Sequence, residues 1–517
     1  MPFDTPDGSE RESCRRVAVW LRDWPLIISG CFAVIWTVHR AVVQSITLDE
    51  ANTFLHWVAR EWPAHWIPQA NNHVLNSELM RLFIWLFGLS HLTVRAPALI
   101  GGVLYIVGIH GFCTLVSRER VLTWALFVCF VYNPFVMDYL VAARGYGLAL
   151  GFLSLAMWVL ARALVRLDEP EERDLLNEAR IISACAALSF CANFSFGYAD
   201  GFLLAAFLAW ACVKQRGRGG TAYARLAVAG VFPAVVLVLV LAGPVLTRFR
   251  REQLIWGTNS LAQTWQDMRD ASFAPLNEYL VNPLLAHLLR AAQQGIVIAA
   301  VIAVAAYLVL LLFSRGRYFE VRSRLRLAGT LAAVLVLTLA AHWLQFQWMK
   351  IPLPFERTSL FFVPLGTAIA GVVLSVTPSN TWERVVRGFG VGVLCVTGVY
   401  FIGALRDSYF REWKICADLE DAFPVIVELC RKADVYEVAT DMNYPATLNF
   451  YRTLYRVTDI DEFADYEKMP PGRPIYVLEE HSFAEFIRKE GLQVAYHGRV
   501  SDLVVVVRPG INANMPK

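Results

Sequence analysis

The sequence predicts an α-helical polytopic membrane protein with a small α/β domain at its C-terminal end. Of its 517 residues, 56% are hydrophobic and 18% charged. The mean hydropathy is +0.45, outside the range of ordinary soluble chains. About eleven apolar windows are long enough to cross a bilayer as helices. Beyond residue 405 these runs stop, and helical and strand periods alternate to the end of the chain.

In order, the windows are 24–46, 92–116, 121–140, 146–165, 181–198, 201–213, 226–247, 296–313, 327–344, 360–376 and 389–405. The sixth is short and, with the fifth, fits a bent or re-entrant pair. A segment at 15–24, with Trp20 and Trp24, reads as an interfacial helix leading into the first span. That first window is too long for the core of a cleavable signal peptide.

The formal net charge of +3 gives no reason to expect nucleic acid. The placement of charge is more informative. Arg11, Arg15, Arg16 and Arg22 precede the first span, and Arg118 and Arg120 follow the second. Lys214, Arg216 and Arg218 follow the sixth, and Arg315, Arg317, Arg322, Arg324 and Arg326 follow the eighth. Positive charge marks cytoplasmic loops, so the expectation is a multi-pass plasma-membrane protein with a cytoplasmic N-terminus. An odd number of spans then carries residues 406–517 across the membrane as an extracytoplasmic domain, leaving 1–405 as the membrane part. The loops at 47–90, 133–145, 248–290 and 345–356 share that outer face. The first contains Trp57, Trp62 and Trp66 and reads as one or two interfacial helices.

In the tail the pattern predicts helices over 413–432, 445–454 and 482–489, and strands over 434–440, 474–478, 492–498 and 503–508. Thr440–Pro445 carries no Gly-rich phosphate loop, which leaves this domain a supporting or acceptor-docking role. Cys416 and Cys430 would lie about 21 Å apart on one helix, too far for a disulfide. No Cys/His cluster has zinc spacing.

Chemistry is concentrated at span ends on the outer face. Asp49 and Glu50 stand in Leu48-Asp49-Glu50-Ala51, directly after the first span, where ionisable groups are costly to keep. Arg95 lies in Val94-Arg95-Ala96-Pro97 and Arg144 in Ala143-Arg144-Gly145-Tyr146. Between them runs Asn71-Asn72-His73-Val74-Leu75-Asn76. Arg357 heads the tenth span. Arg248, Arg250 and Arg251 break the positive-inside pattern on the outer side, which an anionic ligand or anionic lipid explains equally well. Each residue also has a plain structural reading. Asp49 suits a helix N-cap, the arginines suit snorkelling to headgroups, and Arg357 suits a pair with Glu356.

Taken in order, the four motifs resemble the GT-C glycosyltransferases, in the branch of protein O-mannosyltransferases and lipid A aminoarabinose transferases. The match covers the first third of the chain; Asn52-Thr53 and the absence of prolines after His73 depart from it. The resemblance implies a GT-C-like fold and an inverting hexosyl- or pentosyltransferase of glycan or cell-envelope biosynthesis. Such an enzyme takes sugar from a polyprenyl-phosphate carrier and passes it to a hydroxyl, lipid, glycan or protein acceptor. Asp49 is then the general base, with Glu50 beside it. Arg95, Arg144, Arg357, Arg248 and Arg250 bind donor phosphate, and Asn72, His73 and Tyr146 meet the acceptor or substrate. A divalent cation, Mg or Mn, held by Asp49, Glu50 and His73 is a further expectation. Two other readings compete. A transporter or flippase of an anionic glycolipid predicts ionisable residues near span centres and related halves, and a non-catalytic scaffold would use the tail to bind a partner.

Overall fold

The computed structural model describes residues 8–60, 71–166, 170–247, 251–313, 318–466 and 468–511. Among them, ten helices are long and apolar enough to cross a membrane, as a multi-pass protein requires. The chain opens with α1 (Gly8–Val43), α2 (Leu48–Thr53) running into a π-helical turn at Phe54–Val58, and α3 (Val74–Phe87). Next come α4 (His91–Val116), α5 (Arg120–Val131), α6 (Pro134–Tyr139), α7 (Tyr146–Val165), α8 (Glu172–Ala192), α9 (Gly197–Lys214), α10 (Gly220–Leu241) and α11 (Gly243–Thr247). The bundle ends with α12 (Leu261–Ser272), α13 (Pro283–Phe313), α14 (Tyr318–Met349), α15 (Phe362–Leu374) and α16 (Thr381–Gly403).

Three elements differ from the sequence expectation. The segment 15–24 is no separate interfacial helix: it continues into the first span as α1, which accommodates Pro25. The third window is broken, because the Asn133 side chain caps α6 by accepting from the Phe135 and Val136 amides and Pro134 starts the new helix. That leaves α5 with 12 residues, roughly 18 Å of helix, shorter than the hydrocarbon core. The sixth window extends over Phe194–Lys214, 21 residues, as a full span rather than half of a re-entrant pair. The expected amphipathic α3 is present, burying Val74, Asn76 and Ser77 while exposing Trp85 and Phe87. Trp62 and Trp66 lie outside the described residues.

Small residues set the helix packing that matters most for the site. A Cβ on Gly101 of α4 would lie 2.2 Å from the Gly147 carbonyl carbon of α7, and one on Gly151 2.6 Å from the Gly101 carbonyl oxygen. Only glycine lets two spans approach backbone to backbone in this way. The contact brings the beginnings of α4 and α7, and hence Arg95 and Arg144, to one end of the bundle.

The tail folds as α17 (Leu419–Ala433), β1 (Ala439–Thr440), α18 (Pro445–Leu454), β2 (Ala464–Asp465), β3 (Ile475–Glu479), α19 (Glu480–Lys489), β4 (Gln493–His497) and β5 (Leu503–Val507). The sheet order is β2-β1-β3-β5-β4. β1 is parallel to β2 and β3, while β5 is antiparallel to β3 and β4. Every residue of β5 is buried, which explains its unbroken apolar sequence. The first strand is shorter than 434–440 because Asp434 takes a left-handed conformation, φ 51°, and the Val435 amide returns to the Cys430 carbonyl to close α17. The helix expected over 413–432 divides into a 3-10 turn at Lys414–Cys416 and α17. Cys416 and Cys430 are buried free thiols.

Tail and bundle share a core. The Phe450 ring meets Phe54 edge-on at 5.4 Å, and the Tyr451 hydroxyl accepts from the Ile46 amide at 2.8 Å. Asp138 of α6 ties the connecting stretch down, accepting from Arg40, from Arg406 and from the Arg411 amide.

Candidate active site

The loop from α1 to α2 is built on a capping box. Thr47 Oγ1 accepts from the Glu50 amide, and a Glu50 carboxylate oxygen accepts from the Thr47 amide. The box turns Glu50 inward, where it is fully buried. Arg95 grips it through two contacts, Nε to Oε1 at 2.9 Å and Nη2 to Oε2 at 2.8 Å, and the Ala143 amide adds a third at 2.8 Å. The remaining Arg95 donors go to the carbonyls of Ala41, Gln44 and Ser45. All five guanidinium N–H groups are therefore consumed inside the protein. Burial pushes the Glu50 pKa up, but Arg95 and the backbone donors more than offset this and hold it below its usual value.

This corrects two sequence expectations. Arg95 has no donor left for a phosphate and acts as a strut between α1, α2 and α4. Glu50 likewise spends both carboxylate oxygens on Arg95, Thr47 and Ala143.

Asp49, one residue away, faces the other side. Its side chain is 12% exposed, with Arg357 Nη2 at 3.3 Å and Arg144 Nε at 3.7 Å from the same carboxylate oxygen. Burial raises its pKa, yet the two guanidinium groups and a hydrogen bond from Trp413 outweigh that and keep it below the ordinary carboxylate value. Arg144 also donates to Thr53 Oγ1 at 2.9 Å and to Asn71. It is positioned by Gly145, whose φ of 76° and 2.2 Å approach to the Ala192 carbonyl exclude any side chain there. Arg357 lies over the Trp256 ring at 4.7 Å and near the Trp413 ring at 5.8 Å. It also pairs with Glu412, whose other oxygen accepts from the Tyr139 hydroxyl.

Arg357 opens onto a cavity of about 730 Å³, the size of a small-molecule site. Its lining mixes polar side chains, among them Asn71, His73, Tyr146 and Asn193, with apolar ones, among them Phe190, Phe194, Leu246, Ile255 and Trp256. Asp49 is not a lining residue; its contact with Arg357 connects it to the cavity. His73 is 6% exposed, and neither ring nitrogen is hydrogen-bonded. Burial first, then Arg144 and Arg357, drive its pKa well below the usual value despite a small opposing pull from the Ala192 carbonyl. It is therefore a neutral ring, 5.5 Å from Tyr146. His342 also lines the cavity, stacked on Phe361.

Asn72 is turned away, fully buried with Oδ1 accepting from Ser77; Asn71 takes the position at the cavity. Arg248 and Arg250 lie outside the described residues. The set named for a divalent cation does not fit: Glu50 is committed to Arg95 and His73 is flanked by cations. No group of three or more His, Cys, Asp or Glu suited to a metal occurs among the described residues. Glu412, Trp413 and Trp256 were not nominated by sequence. Arg406 and Arg411, basic residues directly after the last apolar window, were the available signal that this stretch is tied to Asp138 and Asp267.

No family model and no curated protein matches this sequence. Among solved structures, the chain aligns with ArnT from Cupriavidus metallidurans bound to undecaprenyl phosphate. The TM-score is 0.51 at 10% identity, covering 95% of this chain and 100% of that one. The fold is that of ArnT. The apo state of ArnT aligns with TM-score 0.40 at 12% identity, over 95% and 99% of the two chains. The likeness to the undecaprenyl phosphate complex bears out the fold that the GT-C resemblance implied. At 95% coverage the match to ArnT takes in the helical bundle and most of the C-terminal sheet domain together.

Proposed function

We propose that this protein is an inverting glycosyltransferase that moves a sugar from a polyprenyl-phosphate-linked donor to an acceptor hydroxyl at the outer face of the plasma membrane. The observation that carries the reading is the Asp49 carboxylate held between Arg144 and Arg357 beside a cavity lined by both polar and apolar side chains. The ArnT fold supports it, since that enzyme was solved with undecaprenyl phosphate. Apolar lining residues suit a prenyl chain, and polar ones suit a sugar.

In this reaction the acceptor oxygen attacks the anomeric carbon while the bond from that carbon to the phosphate oxygen breaks. The electron pair leaves on the phosphate, and Arg144 and Arg357 neutralise it. Asp49 takes the acceptor proton. Without a phosphate, both guanidinium groups stabilise the Asp49 anion and make it a weak base. A bound phosphate draws on the same cations, so Asp49 gains basicity only when donor is present. One displacement inverts the anomeric centre, as single displacements do. Neutral His73 supplies an unused donor and acceptor for sugar hydroxyls, and Tyr146 a ring face. No step is assigned to a metal.

The test is transfer from a radiolabelled polyprenyl-phosphate sugar by purified protein in detergent, with inversion read from the product anomer. Retention of configuration, or transbilayer movement of the lipid without transfer, would overturn this assignment.

A further inference from the structure

We propose that Glu412 is an internal counter-ion which the donor phosphate replaces on Arg357, and that its charge helps expel the product. This deepens the reading above and rests on it. Glu412 belongs to the stretch joining the last span to the tail domain, far in sequence from the Asp49 loop. Asp138, bonded to the Arg411 amide and to Arg406, fixes that stretch. One Glu412 oxygen pairs with Arg357 and the other accepts from Tyr139. Its side chain is 14% exposed, next to a cavity on which Arg357 is the cationic lining residue among those described.

The charge balance gives this pairing a consequence. Arg144 and Arg357 are matched by Asp49 and Glu412, with Glu356 acting on Arg357 as a further carboxylate, so the site has no excess positive charge with which to hold an anion. A phosphate must therefore displace Glu412 or share Arg357 with it. The donor is a diester with one negative charge. After transfer, the carrier is a monoester with a charge near −2 above a second pKa of about 6. A carboxylate beside it repels the product more than the donor. Glu412 thus lowers affinity for phosphate ligands generally and for the spent carrier most.

Glu412→Gln keeps an oxygen for Tyr139 and removes the charge. In the full-length protein in detergent, binding of farnesyl monophosphate is expected to tighten about fivefold near pH 7.5, and by less near pH 5.5, where the probe carries less charge. A residue that only braced Arg357 would weaken binding instead, with no such pH dependence. If Glu412→Gln fails to fold, Glu412→Met, which keeps the side-chain volume and also removes the charge, is expected to tighten binding about fivefold as well. Equal or weaker binding in the folded variant overturns the counter-ion while leaving the donor reading in place. Absence of binding to wild type and both variants overturns the two together.

Discussion

Asp49 and Glu50 are adjacent, each faces an arginine, and yet they make opposite kinds of site. Successive residues on a helix point about 100° apart, so one side chain enters the protein and the other reaches the rim. Glu50 and Arg95 satisfy every donor and lone pair they bring inside. Asp49, Arg144 and Arg357 form a loose group in which contacts exceed 3 Å and an open cavity begins at Arg357. A buried ion pair with nothing left to donate is architecture. Unspent bonding capacity next to an open volume is what chemistry requires.

The largest expected effect is on the loose side. Asp49→Asn should reduce transfer about 10³-fold with a smaller loss of thermal stability, because the amide still accepts from the guanidinium groups but no longer balances their charge. Turnover with a labelled donor, set beside the unfolding temperature, checks both halves; an active Asn variant excludes Asp49 as the base. The strut side should show the reverse. Arg95→Met strands the Glu50 charge and should cost about 3–5 kcal/mol of stability, read from unfolding in detergent. Adding Glu50→Gln should recover part of that loss. If Arg95→Met were as stable as wild type but lost donor affinity, the comparison would be broken.

The same contrast explains what the sequence made legible. Spans, the α/β tail and the gathering of Asp49, His73, Arg144, Tyr146 and Arg357 at one end followed from apolar windows and from charges at their ends. Motif position did not reveal whether Arg95 had donors to spare, since that depends on where the carbonyls of Ala41, Gln44 and Ser45 point. Sequence pointed to Asn72, but the fold turns it inward and puts its neighbour Asn71 at the cavity. Glu412 and Trp413 lie beyond the last span, and tertiary contacts such as the Asp138 tether bring them back to the first loop. The Asn133-Pro134 break was readable as cap chemistry but was hidden within a continuous apolar run.

A smaller effect separates charge from geometry on the loose side. Arg357→Lys preserves the charge but loses the planar fork and its face on Trp256. Donor KM should rise about tenfold with kcat changed less. Equal loss in kcat and kcat/KM would instead mean that Arg357 acts only in the transition state.

The smallest expected effect is a flat response to pH. Asp49 has a folded-state pKa below its unfolded value of about 3.9. Its contribution to stability is thus complete above the unfolded value and disappears only as pH falls through the lower folded one. His73 is depressed well below its usual value, so it stays neutral through the same range. Between about pH 5 and 8, kcat/KM should therefore carry no inflection from either residue in the free enzyme. An inflection in that window that vanished in His73→Gln would show a protonated ring between Arg144 and Arg357. Two guanidinium groups would not tolerate a third cation there unless an unseen anion already occupied the site, and the contrast between satisfied strut and open pair would then have to be redrawn around that anion.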